Sequence, residues 1–263
     1  RFFIDFPLAA VGHRIGGPAK VSVIASGLFG SISGSAIANT VSTGAFTIPM
    51  MKKAGFRPHI AGGIEPAASI SGMFMPPIMG AGGFIMAELT GVPYSRIMLV
   101  AIFPAIMYVF SVFIMVHYEA KKYNIKGEKS EHSAMEILKT QWYYIMPLVM
   151  ITILMLYGFS PGYSAILGIV TCLVISWFKT DTRITPKRFI EASRAGTENS
   201  LKIGATVGVI GIIIGVLTYS GLVLTFADIV IELASGAVFF GIDFRLVATI
   251  FLIALASLVL GMG

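Results

Sequence analysis

The chain has one cysteine, Cys172, so no disulfide can form within it, and no Cys-x-x-Cys pair is available for zinc or redox work. Histidine is also scarce. His13, His59, His117 and His132 stand at unrelated spacings in or beside expected loops, and no metal motif follows. A Gly-rich Walker loop is missing, and so is any Ser/His/Asp arrangement that could serve as a nucleophilic triad; this disfavours an ATPase or an intramembrane enzyme. Charge is sparse as well, at 12% of 263 residues against 56% hydrophobic residues and a mean hydropathy of +0.86. That balance leaves too little polar surface to cover a soluble globule, so the chain is read as an integral membrane protein.

What is present is a succession of apolar runs, enough for about six to eight membrane elements at roughly 20 residues each. The net charge of +6 lies in short clusters beside these runs, not along one stripe, so it is read as topology and not as a nucleic-acid surface. Placing the loop around Arg14 in the cytoplasm and counting crossings puts every basic residue except Arg1, Arg96 and Arg245 on that side, Lys20 among them. The sequence starts at Arg1 instead of Met and stops at Leu260-Gly261-Met262-Gly263, and a longer parent protein is expected.

Two stretches carry the functional information. Gly30-Ser31-Ile32-Ser33-Gly34-Ser35-Ala36-Ile37-Ala38-Asn39-Thr40 lies inside an apolar run from Val21 to Met51. That run is too short for two full spans and a turn, and it predicts a re-entrant helical hairpin with its tip at residues 33–36. Ser69-Ile70-Ser71-Gly72-Met73-Phe74-Met75-Pro76-Pro77 interrupts the run from Ile60 to Leu89 and predicts a spanning helix broken halfway. An unpaired backbone group in lipid costs several kcal/mol, so broken backbone at that depth needs protein, an ion or a solute around it.

The remaining elements follow in order. Ile97–Val116 predicts a span, Glu119–Lys139 a charged connector, and Trp142–Tyr157 with Tyr163–Phe178 a pair of spans. A short surface helix is expected over Thr185–Arg194, with Thr185 as N-cap, then a span over Ile203–Leu222 and an amphipathic stretch over Leu224–Leu233. A further apolar element starts at Phe244 and enters from the face opposite to the first hairpin, as inverted repeats do. Two closely spaced full spans would give the same parity. The expected organisation is residues 1–20 as a helix end and loop, 21–90 as a transport domain, 91–140 as a span and connector, 141–243 as scaffold, and 244–263 as the start of a second hairpin.

Simpler readings compete at each motif. Gly30-x-x-x-Gly34 also suits plain helix packing, which is the preferred account of Gly204-x-x-x-Gly208 and Gly211-x-x-x-Gly215. The hydroxyls and the Asn39 amide crowded near the first motif exceed what a packing seam needs. Freed carbonyls with Ser, Thr and Asn oxygens suit a hard cation such as sodium, and a helix N-terminus suits a carboxylate. Glu65 and Glu88 suggest proton carriers, but each is expected near a helix end at the interface.

The runs Ser26–Asn39, Gly44–Lys52, Glu65–Ser69 and Met75–Ala81 resemble the large membrane subunit of tripartite ATP-independent periplasmic (TRAP) transporters, most closely the fused type that works with TAXI-class binding proteins. The resemblance implies an all-α polytopic inner-membrane permease with an elevator mechanism. It implies sodium-driven uptake of an organic anion, a dicarboxylate for preference, delivered by a periplasmic binding protein. Sodium would be held by Ser33, Gly34, Ser35, Asn39, Ser69 and Gly72, with Gly261, Met262 and Gly263 opening a second sodium site. The solute would meet Ser35, Ala36, Asn39, Ser71, Gly72 and Met73, the last standing where relatives often carry a polar residue or glycine. The alternative is a passive channel or a structural intramembrane subunit.

Overall fold

The structure is a computed structural model that describes residues 2–127, 133–178, 183–236, 238–239 and 242–261. It divides into two compact units, Arg1–Thr185 and Pro186–Gly263.

In the first unit, α1 (Phe2–Val11) packs on α2 (Gly17–Ser33). A left-handed glycine bounds α2 at each end, Gly16 (φ 66°) and Gly34 (φ 61°), and the Gly34 amide donates to Gly30 O at 2.9 Å as a C-terminal cap. Ser35 is extended, and its Oγ accepts from Ala38 N at 3.3 Å, which starts α3 (Ala36–Lys53). Gly34 and Ser35 therefore form the tip of a helical hairpin, inside the stretch that the sequence marks.

The chain then runs into α4 (Pro58–Ile70), a 3₁₀ turn at Ser71–Met73 and an irregular segment with a cis Pro76–Pro77 peptide. Helix resumes at α5 (Ala81–Thr90). The expected mid-helix break is present. Next, α6 (Tyr94–Lys122) has 29 residues, about 43 Å at the helical rise, and reaches past the expected span into residues assigned to the connector. It is long and apolar enough to cross a membrane.

Small and aliphatic side chains from α2, α3, α4 and α6 make the core: Ala19, Val23, Met51, Ala61, Ile64, Ala68, Val112 and Val116. Lys20, placed by charge counting among the cytoplasmic loop residues, is buried in the first turn of α2. Its Nζ lies 3.0 Å from His117 Nδ1, and it sits over the Phe113 ring. His117 accordingly belongs to the body of α6 and not to a loop.

α7 (Ala134–Gln141) continues through a 3₁₀ turn at Trp142–Tyr144 into α8 (Met146–Leu156), with a bend of 64° where a single span from Trp142 is expected. Pro147 at the start of α8 removes a helix donor at this bend. α9 (Pro161–Ser176) packs back on α8.

In the second unit, the expected surface helix and the following span are one helix, α10 (Pro186–Tyr219), of 34 residues and again apolar enough to cross a membrane. A methyl group on Gly204, Gly208, Gly211 or Gly215 would meet no atom within 4 Å, so these glycines form no packing seam among the described residues. α11 (Leu222–Ser235), a two-residue ribbon pairing Val238–Phe239 with Ile242–Asp243, and α12 (Arg245–Gly261) complete the unit. The ribbon has no counterpart in the sequence reading.

Candidate functional site

The hairpin tip and the broken helix meet. Gly30 on α2 faces Gly72 in the 3₁₀ turn so closely that a Cβ on Gly30 would stand 2.5 Å from Gly72 Cα. One turn on, a Cβ on Gly34 would stand 2.1 Å from Met79 O, and one on Gly80 would stand 2.8 Å from Gly34 O. Ile78 N donates to Ser31 O at 3.3 Å, and Gly80 N donates to Met73 O at 2.7 Å. The glycine spacing thus does serve packing, here of one helix end against another. The backbone freed by each break is covered by the other, which is what lipid requires of it.

Asn39 is fully buried at this junction. Its Nδ2 donates to Ser26 O at 2.8 Å and to Ser69 O at 3.4 Å, so one amide ties α3 to α2 and to α4. Ser69 and Ser71 are buried beside it, with Ser71 Oγ donating to Ala68 O at 2.6 Å. Ser33, Gly34, Ser35 and Ala36 are half-buried at the tip. Asn39, Ser69, Ser71 and Gly72 are therefore brought together, while Met73 is 52% exposed. Met262 and Gly263 lie outside the described residues, and Gly261 closes α12 in the other unit.

The most concentrated polar centre was not anticipated. The sequence reading places Glu65 near a helix end at the interface; in the structure it is 0% exposed in the middle of α4, because α2 and α3 of the hairpin cover its face. Its Oε2 accepts from Ser22 and Thr47, and its Oε1 from Thr43, from Ser26 at 2.7 Å and from Ser69 at 3.4 Å. Gly44 makes room for the carboxyl, since a Cβ there would stand 3.1 Å from Glu65 Cγ. The legible signal is spacing: Ser22/Ser26, Thr43/Thr47 and Glu65/Ser69 are each i,i+4 pairs, one per helix, and each pair shares a helix face. Glu88, by contrast, is exposed near the end of α5.

The donor set suits a hard monovalent cation. It consists of hydroxyls, carbonyls and one side-chain amide, and no group of three or more His, Cys, Asp or Glu occurs among the described residues. At the tip, Ser33 Oγ and Ser35 Oγ are engaged by long bonds from backbone amides, at 3.5 Å and 3.3 Å. Both hydroxyl oxygens keep lone pairs for a cation.

Helices fit to cross a bilayer, joined to a pair of broken helices with polar groups sealed between them, define an all-α, polytopic integral membrane protein. The profile of the family described as "Tripartite ATP-independent periplasmic transporter, DctM component" matches residues 1–263, and the chain belongs to that family. It is 27% identical over 179 residues to a putative TRAP transporter large permease protein of Haemophilus influenzae, covering 66% of this chain and 41% of that protein. With the 2,3-diketo-L-gulonate TRAP transporter large permease protein YiaN of Escherichia coli it shares 28% identity over 126 residues, 48% of this chain and 29% of that one. With the C4-dicarboxylate TRAP transporter large permease protein DctM of Rhodobacter capsulatus it shares 31% over 99 residues, 35% of this chain and 22% of that one. The matched segment is less than half the length of each. All three are named as permeases and none as an enzyme.

Proposed function

We propose that this chain forms the core of the large permease subunit of a sodium-coupled secondary transporter of the inner membrane, one that imports an organic anion handed over by a periplasmic binding protein of the TAXI type. The observation that carries this reading is the junction of the hairpin tip at Gly34–Ser35 with the broken helix at Gly72–Gly80. Two helix ends meeting inside a membrane protein offer carbonyls and hydroxyls to a cation, and an amide-rich N-terminus at Ala36 to a carboxylate. The relatives' named solutes, 2,3-diketo-L-gulonate and C4-dicarboxylates, are organic acids, which supports an organic anion here; the C4-dicarboxylate relative is the one that favours a dicarboxylate.

In this reading Ser33, Gly34, Ser35, Asn39, Ser69 and Gly72 hold sodium, and Gly261, Met262 and Gly263 open a second sodium site. Ser35, Ala36, Asn39, Ser71, Gly72 and Met73 line the solute's path. The hairpin re-enters the bilayer, and it moves with α4 and α5 as one body in an elevator step. The dense contact at Gly30–Gly72 supports that shared movement, because the two elements cannot slide past each other without parting their backbones.

The test is uptake of labelled succinate by proteoliposomes holding the full-length permease, its remaining subunits and its binding protein. Uptake that rises with an inward sodium gradient agrees with the proposal. Uptake indifferent to sodium rejects the coupling, and saturable flux independent of the binding protein rejects the partner.

A further inference from the structure

We propose that the face of α6 between Ile106 and Lys121 binds an acidic phospholipid, with an acyl chain in the cavity beside the helix break and the anionic headgroup at the basic end of the helix. The site requires that the chain lie in a bilayer; it does not rest on sodium coupling or on the choice of solute.

Met75, from the irregular segment after the 3₁₀ turn, and Ile106, Val109, Phe110 and Phe113 of α6 line a cavity of about 330 Å³. None of these side chains offers a donor to an organic anion, and water would find too few partners to stay. Residues 106–113 form the middle of α6, a helix long and apolar enough to cross a membrane, so the cavity lies at hydrocarbon depth. Ile106 is 59% and Phe110 60% exposed, which leaves the cavity open on its outer side. Hydrocarbon is the filling that such a space accepts.

Helical spacing joins this cavity to charge. Ile106, Phe110, Phe113, His117 and Lys121 follow one another at three or four residues and share one face of α6. Phe113 lines the cavity, and Lys20 Nζ lies over its ring, 5.1 Å from the centroid; the same ammonium is 3.0 Å from His117 Nδ1. The apolar space therefore ends one side chain away from a buried cation. Lys121 is exposed one turn beyond His117, and Arg14, exposed in the loop before α2, is near enough to repel Lys20. Among the described residues no carboxylate pairs with Lys20, Arg14 or Lys121. Glu119, the acidic residue of α6, stands two positions from both His117 and Lys121 and so on another face.

The dimensions fit a lipid confined to one leaflet. Phe110 and Lys121 are 11 residues apart, about 17 Å at the helical rise. Half of a bilayer's hydrocarbon core is about 15 Å. A phospholipid with its phosphate at Lys121 thus brings its chains to the level of the cavity. An apolar helix packed on the same face would fill the cavity and leave the positive end unanswered.

The chain would also brace the break. Met75 N donates to Ser71 O at 2.8 Å, and Phe74 meets Tyr108 edge-on at 5.3 Å. A Cβ on Gly27 would stand 3.9 Å from Met75 Cε, so Met75 is held between α2 and the cavity. Filling the cavity closes its outer side, and bound lipid should stabilise the fold by mass action.

The experiment uses the full-length permease in detergent, with dioleoylphosphatidylglycerol, dioleoylphosphatidylcholine and dihexanoylphosphatidylglycerol as probes, which vary head and chain separately. The first should raise the melting temperature along a saturable curve. The second should need a higher concentration, and the third, whose chains are too short to reach the cavity, should leave the melting temperature unchanged. Lys121→Ala should raise the dioleoylphosphatidylglycerol concentration needed about fivefold, the effect of one lysine near a lipid surface, and leave the phosphatidylcholine curve in place. Ile106→Trp, at a position exposed enough to accept the larger side chain, fills the cavity and should abolish the phosphatidylglycerol effect. A phosphatidylglycerol with a diazirine near the end of one chain should label peptides containing Met75 or residues 106–113 in the wild type. Equal curves for the two dioleoyl lipids, a Lys121→Ala curve that coincides with the wild type, or labelling absent from these peptides overturns the proposal, as does a map of the full-length permease with a protein helix on this face. No transport enters these readings, so their failure is distinguishable from a failure of sodium-driven uptake.

Discussion

Gly30 and Gly72 stand backbone to backbone, so close that a methyl group on either would lie 2.5 Å from the other's Cα. Neither contact atom is the end of a flexible side chain, so nothing small can yield. Gly30→Ala or Gly72→Ala should separate the hairpin from the break and destabilise the protein by about 1–3 kcal/mol, the usual range for overpacking. Gly62→Ala is the control, since a methyl there meets no atom within 4 Å; it should stay within about 0.5 kcal/mol of the wild type. Thermal unfolding of the three variants in one detergent makes the comparison.

Ser35 caps α3 through the Ala38 amide, at 3.3 Å. Ser35→Ala should cost about 1 kcal/mol, and Ser35→Gly only a few tenths. If Ser35 also holds sodium, both variants should shift the sodium dependence of uptake by a similar amount despite their different stabilities. A sodium titration beside the unfolding curves separates the two roles.

Asn39 offers a sharper contrast. Asn39→Ala removes the donor to Ser26 O and Ser69 O and should cost about 1–3 kcal/mol. Asn39→Asp should cost more, because a carboxyl oxygen then faces carbonyl oxygens. Amide hydrogen exchange around Ser71–Met73 should rise in both, since α4 loses its tie to α3 just ahead of the break.

At Glu65 the lost volume and the lost acceptor act in the same direction. Glu65→Ala leaves Ser22, Ser26, Thr43 and Thr47 buried without their shared acceptor and opens a cavity, whereas Glu65→Gln keeps the volume and one acceptor oxygen. Glu65→Ala should therefore be less stable than Glu65→Gln by about 1–3 kcal/mol. Chemical or thermal denaturation of the pair reads this directly.

The sequence displays the breaks because their causes are local. Gly34 needs a left-handed conformation, Ser35 caps, and Pro76–Pro77 removes donors, so the tip and the interrupted helix can be placed within a few residues. What local reasoning misses is what depends on neighbours. Glu65 looks interfacial because it stands near the start of the interrupted run Ile60–Leu89; its burial follows from the hairpin laid across α4, which brings Ser22, Ser26, Thr43 and Thr47 to its carboxyl. Lys20 looks like a loop charge because its burial depends on His117, 97 positions away. The continuity of α10 is hidden for a related reason. The change from charged to apolar residues near Ile203 marks a change of surroundings, not an end of hydrogen bonding, and Pro186 stands at the first position, where a helix tolerates it.

The central claim is that the hairpin tip and the broken helix together enclose a cation. The most direct measurement is a pair of cryo-electron microscopy maps of the full-length permease in lipid, one in sodium and one with sodium replaced by choline. The account predicts a spherical density between the Ser33–Ser35 tip and the Ser69–Gly72 segment in the first map and none in the second. Maps that agree at this junction, with no ion density in either, would contradict it.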